Sequence, residues 1–322
     1  MKILITGGAG YVGSVATRHL IGRGHQVRVL DSLMHGGSAL LGIYPDDGFE
    51  FILGDVRSAD TARGALRGVD AVVHLAAIVG DPACSKQPSL AKETNLDASL
   101  QMYRLSRDAG VKKFIFASTC SNYGRMADPA QFINENSELN PLSLYSETKV
   151  AVEKELLAAS RGDFPAVTVL RFATVFGLSP RMRFDLTVNE FTLEMAIKRK
   201  VTVFGEQFWR PYIHVRDVAR AIALVLEAPA GKVVSDVFNV GSTDQNYQKA
   251  QILDLIQSRI PGTTVEKVTQ KDDPRDYRVS FEKISKILGF KTTRSVSEGI
   301  DEILDAIEKK VIADFDNPHY RN

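Results

Sequence analysis

The chain has 322 residues, of which 44% are apolar and 25% charged, an ordinary globular composition with room for about two domains. Its 40 Lys and Arg against 39 Asp and Glu leave a net charge of +1, which excludes the basic excess of a non-specific nucleic-acid binder and any strong pull toward an anionic membrane surface. Two cysteines, Cys84 and Cys120, and six scattered histidines form neither a disulfide framework nor a metal-ligand spacing, so no metal is expected.

In chain order, the first apolar run covers 2–6 and stops at Gly7 and Gly8. It is too short for the core of a signal peptide. The longest apolar stretch, 71–79, falls well below the roughly 18 residues of a membrane-spanning helix. A cytoplasmic protein is therefore expected. Residues 11–23 carry helical periodicity through Val12, Val15, Ala16, His19 and Leu20. Further strands are expected at 26–30, 49–53, 71–75, 112–117 and 166–170, with helices near 59–67, 89–109 and 143–160. Apolar strands alternating with helices predict an α/β fold with a parallel sheet covered on both faces. The second half is less regular. Helices are expected near 187–199, 215–227, 246–259 and 296–310, short strands near 201–204 and 236–240, and a loop over 261–278, where Pro, Gly and charge cluster. No Gly/Ser linker divides the halves, so the two domains are expected to interleave.

Thr6-Gly7-Gly8-Ala9-Gly10-Tyr11-Val12-Gly13 follows the first strand and opens the first helix. Glycines at 7, 10 and 13, or at 8, 10 and 13, permit a tight turn and let backbone N–H groups approach a pyrophosphate at a helix N-terminus. Asp31 ends the second strand about 20 positions on. A carboxylate there accepts hydrogen bonds from both ribose hydroxyls and repels a 2′-phosphate. NAD is the expected cofactor in preference to NADP, although Arg28 lies nearby, inside the strand.

Tyr145 and Lys149 stand four residues apart at the start of a predicted helix, on one face of it. A phenol with a pKa of about 10 is a poor base at neutral pH. A neighbouring ammonium and an oxidised nicotinamide both stabilise the phenolate. A third group must hold the substrate hydroxyl. Thr119, with Ser118 beside it, ends the fifth strand, where sheets of this kind bind ligands.

These motifs occur with Gly54-Asp55-Val56, His74-Leu75-Ala76-Ala77, Glu93-Thr94-Asn95, the runs 118–124 and 171–177, and the run 212–219 that begins Tyr212-Ile213-His214. Together they resemble the signature of extended short-chain dehydrogenase/reductases, the nucleotide-sugar epimerases and dehydratases typified by UDP-glucose 4-epimerase. The resemblance runs from residue 1 to about 290. It implies a Rossmann-type doubly wound NAD-binding domain at 1–172 plus about 213–240. A smaller C-terminal α/β domain, at about 173–212 and 241–322, would grip a nucleotide-diphosphate sugar. Beside Gly7, Gly10, Gly13 and Asp31, the resemblance places Tyr11, Val12, Asp55, Val56, Leu75, Ala76, Ala77, Asn95, Ser118, Tyr145 and Lys149 at the cofactor, with Asp55 and Val56 at the adenine. It also implies a homodimer built through the helices near 89–109 and 143–160.

Departures from the family pattern narrow the chemistry. The 4,6-dehydratases carry Thr-Asp-Glu where this chain has Thr119-Cys120-Ser121, so their acid–base pair is missing. The 3,5-epimerases place a Cys two residues before the Tyr at position 123 and pair it with a downstream His or Lys. Here Ser121 fills that slot, and no His or Lys lies between 155 and 197. What remains needs Tyr145, Lys149, Thr119 and NAD. That set removes hydride from a sugar carbon, usually C4. The enzyme is a 4-epimerase if hydride returns to the other face, and a 4-dehydrogenase if the keto sugar leaves. A 4-ketosugar reductase or a dehydratase is the alternative. An NAD-sensing regulatory protein is the non-enzyme alternative, and regulatory relatives tend to lose the Tyr and Lys that this chain keeps. The run 171–186, with Val79-Gly80-Asp81-Pro82 and Asp276-Tyr277-Arg278-Val279-Ser280, resembles bacterial GDP-heptose 4-dehydrogenases. Substrate contacts are expected from Thr119, Cys120, Thr174, Arg183, Asn189, Arg210 and Arg275, the arginines because guanidinium forks match phosphate. His214 is expected to be structural.

Overall fold

The computed structural model describes residues 1–126, 128, 131–159, 165–268 and 275–322. The first half runs β1 (Lys2–Thr6), α1 (Tyr11–Gly22), β2 (Gln26–Asp31), β3 (Phe49–Leu53), α2 (Ala59–Leu66), β4 (Ala71–His74), α3 (Asp81–Lys86), α4 (Pro88–Lys92), α5 (Ala98–Asp108), β5 (Lys113–Thr119), α6 (Leu144–Ala159) and β6 (Ala166–Phe172). The second runs β7 (Thr174–Phe176), α7 (Thr187–Lys198), β8 (Lys200–Phe204), β9 (Trp209–His214), α8 (Val215–Glu227), β10 (Asp236–Val240), β11 (Asn246–Gln248), α9 (Lys249–Gln257), β12 (Thr264–Val268), α10 (Glu282–Leu288) and α11 (Val296–Glu308).

Seven parallel strands form one sheet in the order β10-β6-β5-β4-β1-β2-β3. Successive side chains of a strand point to opposite faces. Ile3 and Ile5 of β1 therefore join Val27, Val29 and Val73 on one face, with α1 and α8 over them through Ala16, Leu20 and Ile222. Leu4 joins Val72, Phe114 and Phe116 on the other, under Ala62 of α2, Met102 of α5 and Leu156 of α6. This is the doubly wound α/β class that the alternation predicts. β1 lies between β2 and β4, so the winding reverses there, and a crevice opens at the C-terminal strand ends.

β11, β9 and β7 make a three-stranded sheet, and β12 pairs with β8. Helices α7, α9 and α11 pack around Val201, Val203 and Tyr212. A further cluster joins Tyr11 of α1 to Met182, Phe184, Ile303 and Ile307, so the two halves share a core. Among the described residues, no helix is long and apolar enough to cross a membrane.

Some elements differ from expectation. The predicted loop at 261–278 contains β12; Val265 and Glu266 lie opposite Val201 and Thr202, and Glu266 pairs with Lys200. Residues 269–274 of that loop, and residue 160 of the helix expected at 143–160, lie outside the described residues. The helix expected at 246–259 begins at Lys249, because residues 246–248 pair with β9 and Gln248 and Gln251 form a capping box. The continuous helix expected at 89–109 divides into α4 and α5 around a π turn at Glu93–Asp97. Asn95 sits in that turn with its side chain turned inward.

Candidate active site

The end of β1 turns into the glycine loop. Gly7 has φ +75°, and a Cβ on it would lie 2.8 Å from the Ala76 nitrogen. A Cβ on Gly13 would lie 2.0 Å from the Gly7 carbonyl oxygen. Only glycine lets the loop and the first turn of α1 approach this closely. No side chain caps α1, which leaves its first-turn amides to whatever the crevice holds. Asp31, at the end of β2, accepts from the Ala9 amide (2.9 Å) and the Leu33 amide (2.8 Å). Burial pushes its carboxyl pKa up, against those two amides. Arg28 is held away by Glu50 and by the Ala65 and Arg67 carbonyls. The bare glycine cradle, an uncapped helix and an acidic side chain at the end of β2 fit a dinucleotide without a 2′-phosphate.

A cleft of about 720 Å³ runs from this loop across the strand ends. Gly7, Gly10, Tyr11, Val12, Gly13, Asp31, Asp55, Val56, Leu75, Ala76, Ala77, Ser118, Thr119, Tyr145, Lys149, Thr174, Arg183 and Arg275 all line it. Tyr145 and Lys149 project from the first turns of α6. The Lys149 ammonium lies 5.9 Å from the Tyr145 ring centroid and 4.7 Å from that of Phe116. It donates to the Ala117 carbonyl at 2.9 Å. Lys149 is buried, and that burial pushes its pKa down to about 8 against the pull of Glu153. Burial raises the Tyr145 phenol above its ordinary range, with Arg183 opposing.

Thr119 ends β5 opposite these two. Its hydroxyl lies 2.6 Å from the Ser121 hydroxyl and accepts from the Ser121 amide at 3.1 Å. Ser118 lines the cleft too, but its hydroxyl donates to Glu153, which leaves Thr119 as the side chain of that pair available to a substrate. Glu153 also accepts from Asn122 (2.7 Å) and holds Arg171 (2.7 Å). This buried network fixes β5, β6 and α6 behind the cleft.

Four expected site residues do not line the cleft. Asn95 donates to the Ile78 carbonyl and accepts from the Ile78 amide, so it props up the cleft wall. The Cys120 thiol is buried and directed at the Arg171 carbonyl. Asn189 accepts from the Gly177 amide and donates to the Arg183 carbonyl and Tyr11 hydroxyl. Arg210 donates to the Trp209 carbonyl and lies 5.3 Å over the Tyr277 ring. In each case a local tertiary partner holds the polar group that a ligand was expected to take. Two arginines that do line the cleft have carboxylate partners, Arg275 with Asp81 (2.9 Å) and Arg183 with Asp185 (2.6 Å). His214 is buried beside Glu302, at 2.6 Å. Its Nδ1 accepts from the Arg216 amide, the structural role expected.

Other lining residues were not anticipated: His35, Ser121, Arg181, Arg321 and Asn322. Ser121 could have been found by its spacing, two residues beyond Thr119. The last three reach the cleft through chain segments whose return to it has no local signal.

A model of the NAD dependent epimerase/dehydratase family matches residues 3–241. A UDP-glucose 4-epimerase of Lactobacillus helveticus is 30% identical over 325 residues, 94% of this chain and 95% of that protein. The structure of UDP-glucose 4-epimerase from Thermotoga maritima with UDP-glucose superposes with a TM-score of 0.86 at 29% identity, covering 97% of this chain and all of that one. DesIV, a dTDP-glucose 4,6-dehydratase from Streptomyces venezuelae solved with NAD bound, also gives a TM-score of 0.86, at 26% identity over 96% of this chain and 98% of that one. The glycine cradle, the Asp31 carboxylate and the Tyr145–Lys149 pair thus sit in a chain that belongs to the NAD-dependent epimerase/dehydratase family of extended short-chain dehydrogenase/reductases.

Proposed function

We propose that the protein oxidises a nucleotide-diphosphate sugar at C4, as a 4-epimerase or a net 4-dehydrogenase. One observation carries this reading. Tyr145, Lys149 and Thr119 share the cleft wall, while the Cys120 thiol between the strand end and Ser121 is turned away from it. The cleft then offers the groups for removing a hydroxyl proton and lacks the acidic pair of a 4,6-dehydratase at 120 and 121.

NAD⁺, when bound, supplies the acceptor for the C4 hydrogen. The Tyr145 phenolate takes the proton of the C4 hydroxyl. The burial that opposes ionisation also leaves that phenolate a stronger base than free tyrosine. Lys149 stabilises the phenolate by charge, its ammonium lying 5.9 Å from the Tyr145 ring centroid. Thr119 and Ser121 share one hydrogen bond and together orient the sugar hydroxyl. Arg183 and Arg275 carry the charge suited to the diphosphate. The reading includes a dimer formed through α5 and α6, which sedimentation tests.

Incubation with GDP-, UDP-, dTDP- and CDP-sugars followed by NMR discriminates the outcomes. An inverted C4 with no net NADH marks an epimerase; a 4-keto product with NADH marks a dehydrogenase. Tyr145→Phe is expected to lower turnover by roughly 10²–10⁴-fold, the usual worth of a positioned acid–base group, with NAD⁺ binding retained. Turnover at the wild-type rate in that variant would sink the mechanism.

A further inference from the structure

Arg181 lines the cleft yet is only 6% exposed. Its neighbour Arg183 is paired with Asp185 through two hydrogen bonds. Arg181 has no carboxylate within 4.0 Å among the described residues. Its hydrogen bond is to the Arg321 carbonyl, from Nη2 at 3.2 Å, and its Nε is buried with no partner. A guanidinium held out of water without an ion-pair partner is costly; burial, then Arg183, pulls its pKa down to about 10 against the more distant Asp185.

The chain places this cation beside the glycine loop. The Tyr11 hydroxyl donates to the Gly177 carbonyl at 2.6 Å, and the Ser179 hydroxyl donates to the Tyr11 carbonyl at 2.7 Å. Ser179 and Ser14 hydroxyls are 3.2 Å apart. Residues 177–179 are thereby tied to the first turn of α1, and Arg181 follows two residues later. On its far side the 320–322 segment closes the arrangement. The Phe184 amide donates to the Tyr320 carbonyl at 2.7 Å, and the Asn322 side chain reaches the Val79 carbonyl at 3.3 Å.

We propose that Arg181 is a diphosphate-binding residue of the cleft, set by residues 177–179 and 320–322 against the open amides of α1. The cofactor pyrophosphate is the source that its position beside α1 favours. The diphosphate of a nucleotide sugar is the other source, and only that one rests on the function proposed above.

Calorimetric titration of Arg181→Gln and Arg181→Lys with NAD⁺, adenosine and UDP or GDP tests this without turnover. For Arg181→Gln the NAD⁺ dissociation constant is expected to rise roughly tenfold to a hundredfold, as for one lost charged hydrogen bond. Adenosine binding should be unchanged, Arg181→Lys should lie between, and the melting temperature without ligand should not fall. A loss for the nucleoside diphosphate in place of NAD⁺ supports the residue's role and assigns it to the sugar nucleotide. If wild-type protein binds NAD⁺ but no nucleoside diphosphate, the proposed function fails while Arg181 is still tested. The proposal is overturned if both affinities stay within about twofold of wild type. It is equally overturned if adenosine and NAD⁺ weaken in parallel with a lowered melting temperature, the signature of a mere strut.

Discussion

Asp31 uses one carboxylate twice. Its oxygens hold the Ala9 and Leu33 amides, and the same charge faces the place where a ribose hydroxyl or a 2′-phosphate would lie. Asp31→Asn removes the charge and keeps one of the two acceptors, so either the Ala9 or the Leu33 amide loses its partner and a modest fall in melting temperature is expected. The ratio of NAD⁺ to NADP⁺ affinity, which compares two ligands in the same variant, is expected to fall about tenfold or more, the worth of one charged hydrogen bond. An unchanged ratio, measured by titration of both cofactors, would remove Asp31 from cofactor choice. The places of Asp31 and the glycines were legible because a strand end and a helix start are encoded in short sequence spacing. Those of Asn189 and Arg210 were not. Beside bonds to near neighbours in the chain, each meets a distant one, Tyr11 for Asn189 and Tyr277 for Arg210, and spacing carries no trace of those two contacts.

At the scale of elements, β4 and its neighbours bury a titratable group that folding must keep neutral. The Thr6 hydroxyl lies 2.8 Å from His74 Nδ1, His74 Nε2 lies 3.0 Å from the Ser99 hydroxyl, and Ser99 donates to the Asn95 carbonyl at 2.8 Å. Because Ser99 donates onward, Nε2 carries the hydrogen and Nδ1 accepts from Thr6. The chain of bonds couples β1, β4 and the π turn. Burial, then the Lys149 charge, pushes the His74 pKa down to about 3. The unfolded chain binds this proton near pH 6.5 and the folded one does not. Stability from this group is thus present above pH 6.5 and is lost as pH falls toward 3, up to about 5 kcal/mol in all. Urea titrations across pH 4–7 should show that slope, and His74→Gln should flatten it. A second buried device joins α6 to β5 and β6 through Glu153. Glu153→Ala leaves Arg171 buried and unpaired, with an expected cost of about 3–5 kcal/mol. Adding Arg171→Met should recover part of that loss in a melting experiment. A loss no smaller in the double variant would contradict the account. The strands of this sheet were legible from their apolar runs. The π turn was not, since the bonds its Asn95 makes reach Ile78, in a separate segment.

For the whole molecule, the two halves are stitched by Tyr11, Phe184, Ile303 and Ile307. From the second half, β10 returns to lie against β6, with Asp236 opposite Thr168. The second half was the less legible because its strands β7, β9 and β11 have three to six residues and gain their pairing only from one another. The position of β10 also sets a timetable. As the chain leaves the ribosome, β6 is made long before the strand that covers its edge, and α1 is made long before α8, its neighbour on the same face. Until about residue 240 has emerged, the nascent protein carries an open strand edge and a half-covered apolar face, both invitations to aggregation. A fragment ending at 172 is accordingly expected to precipitate on expression, and a soluble, cooperatively melting fragment of that length would refute this. Any split or fusion of the protein must keep β6 and β10 on one synthesis, or supply the missing strand in trans.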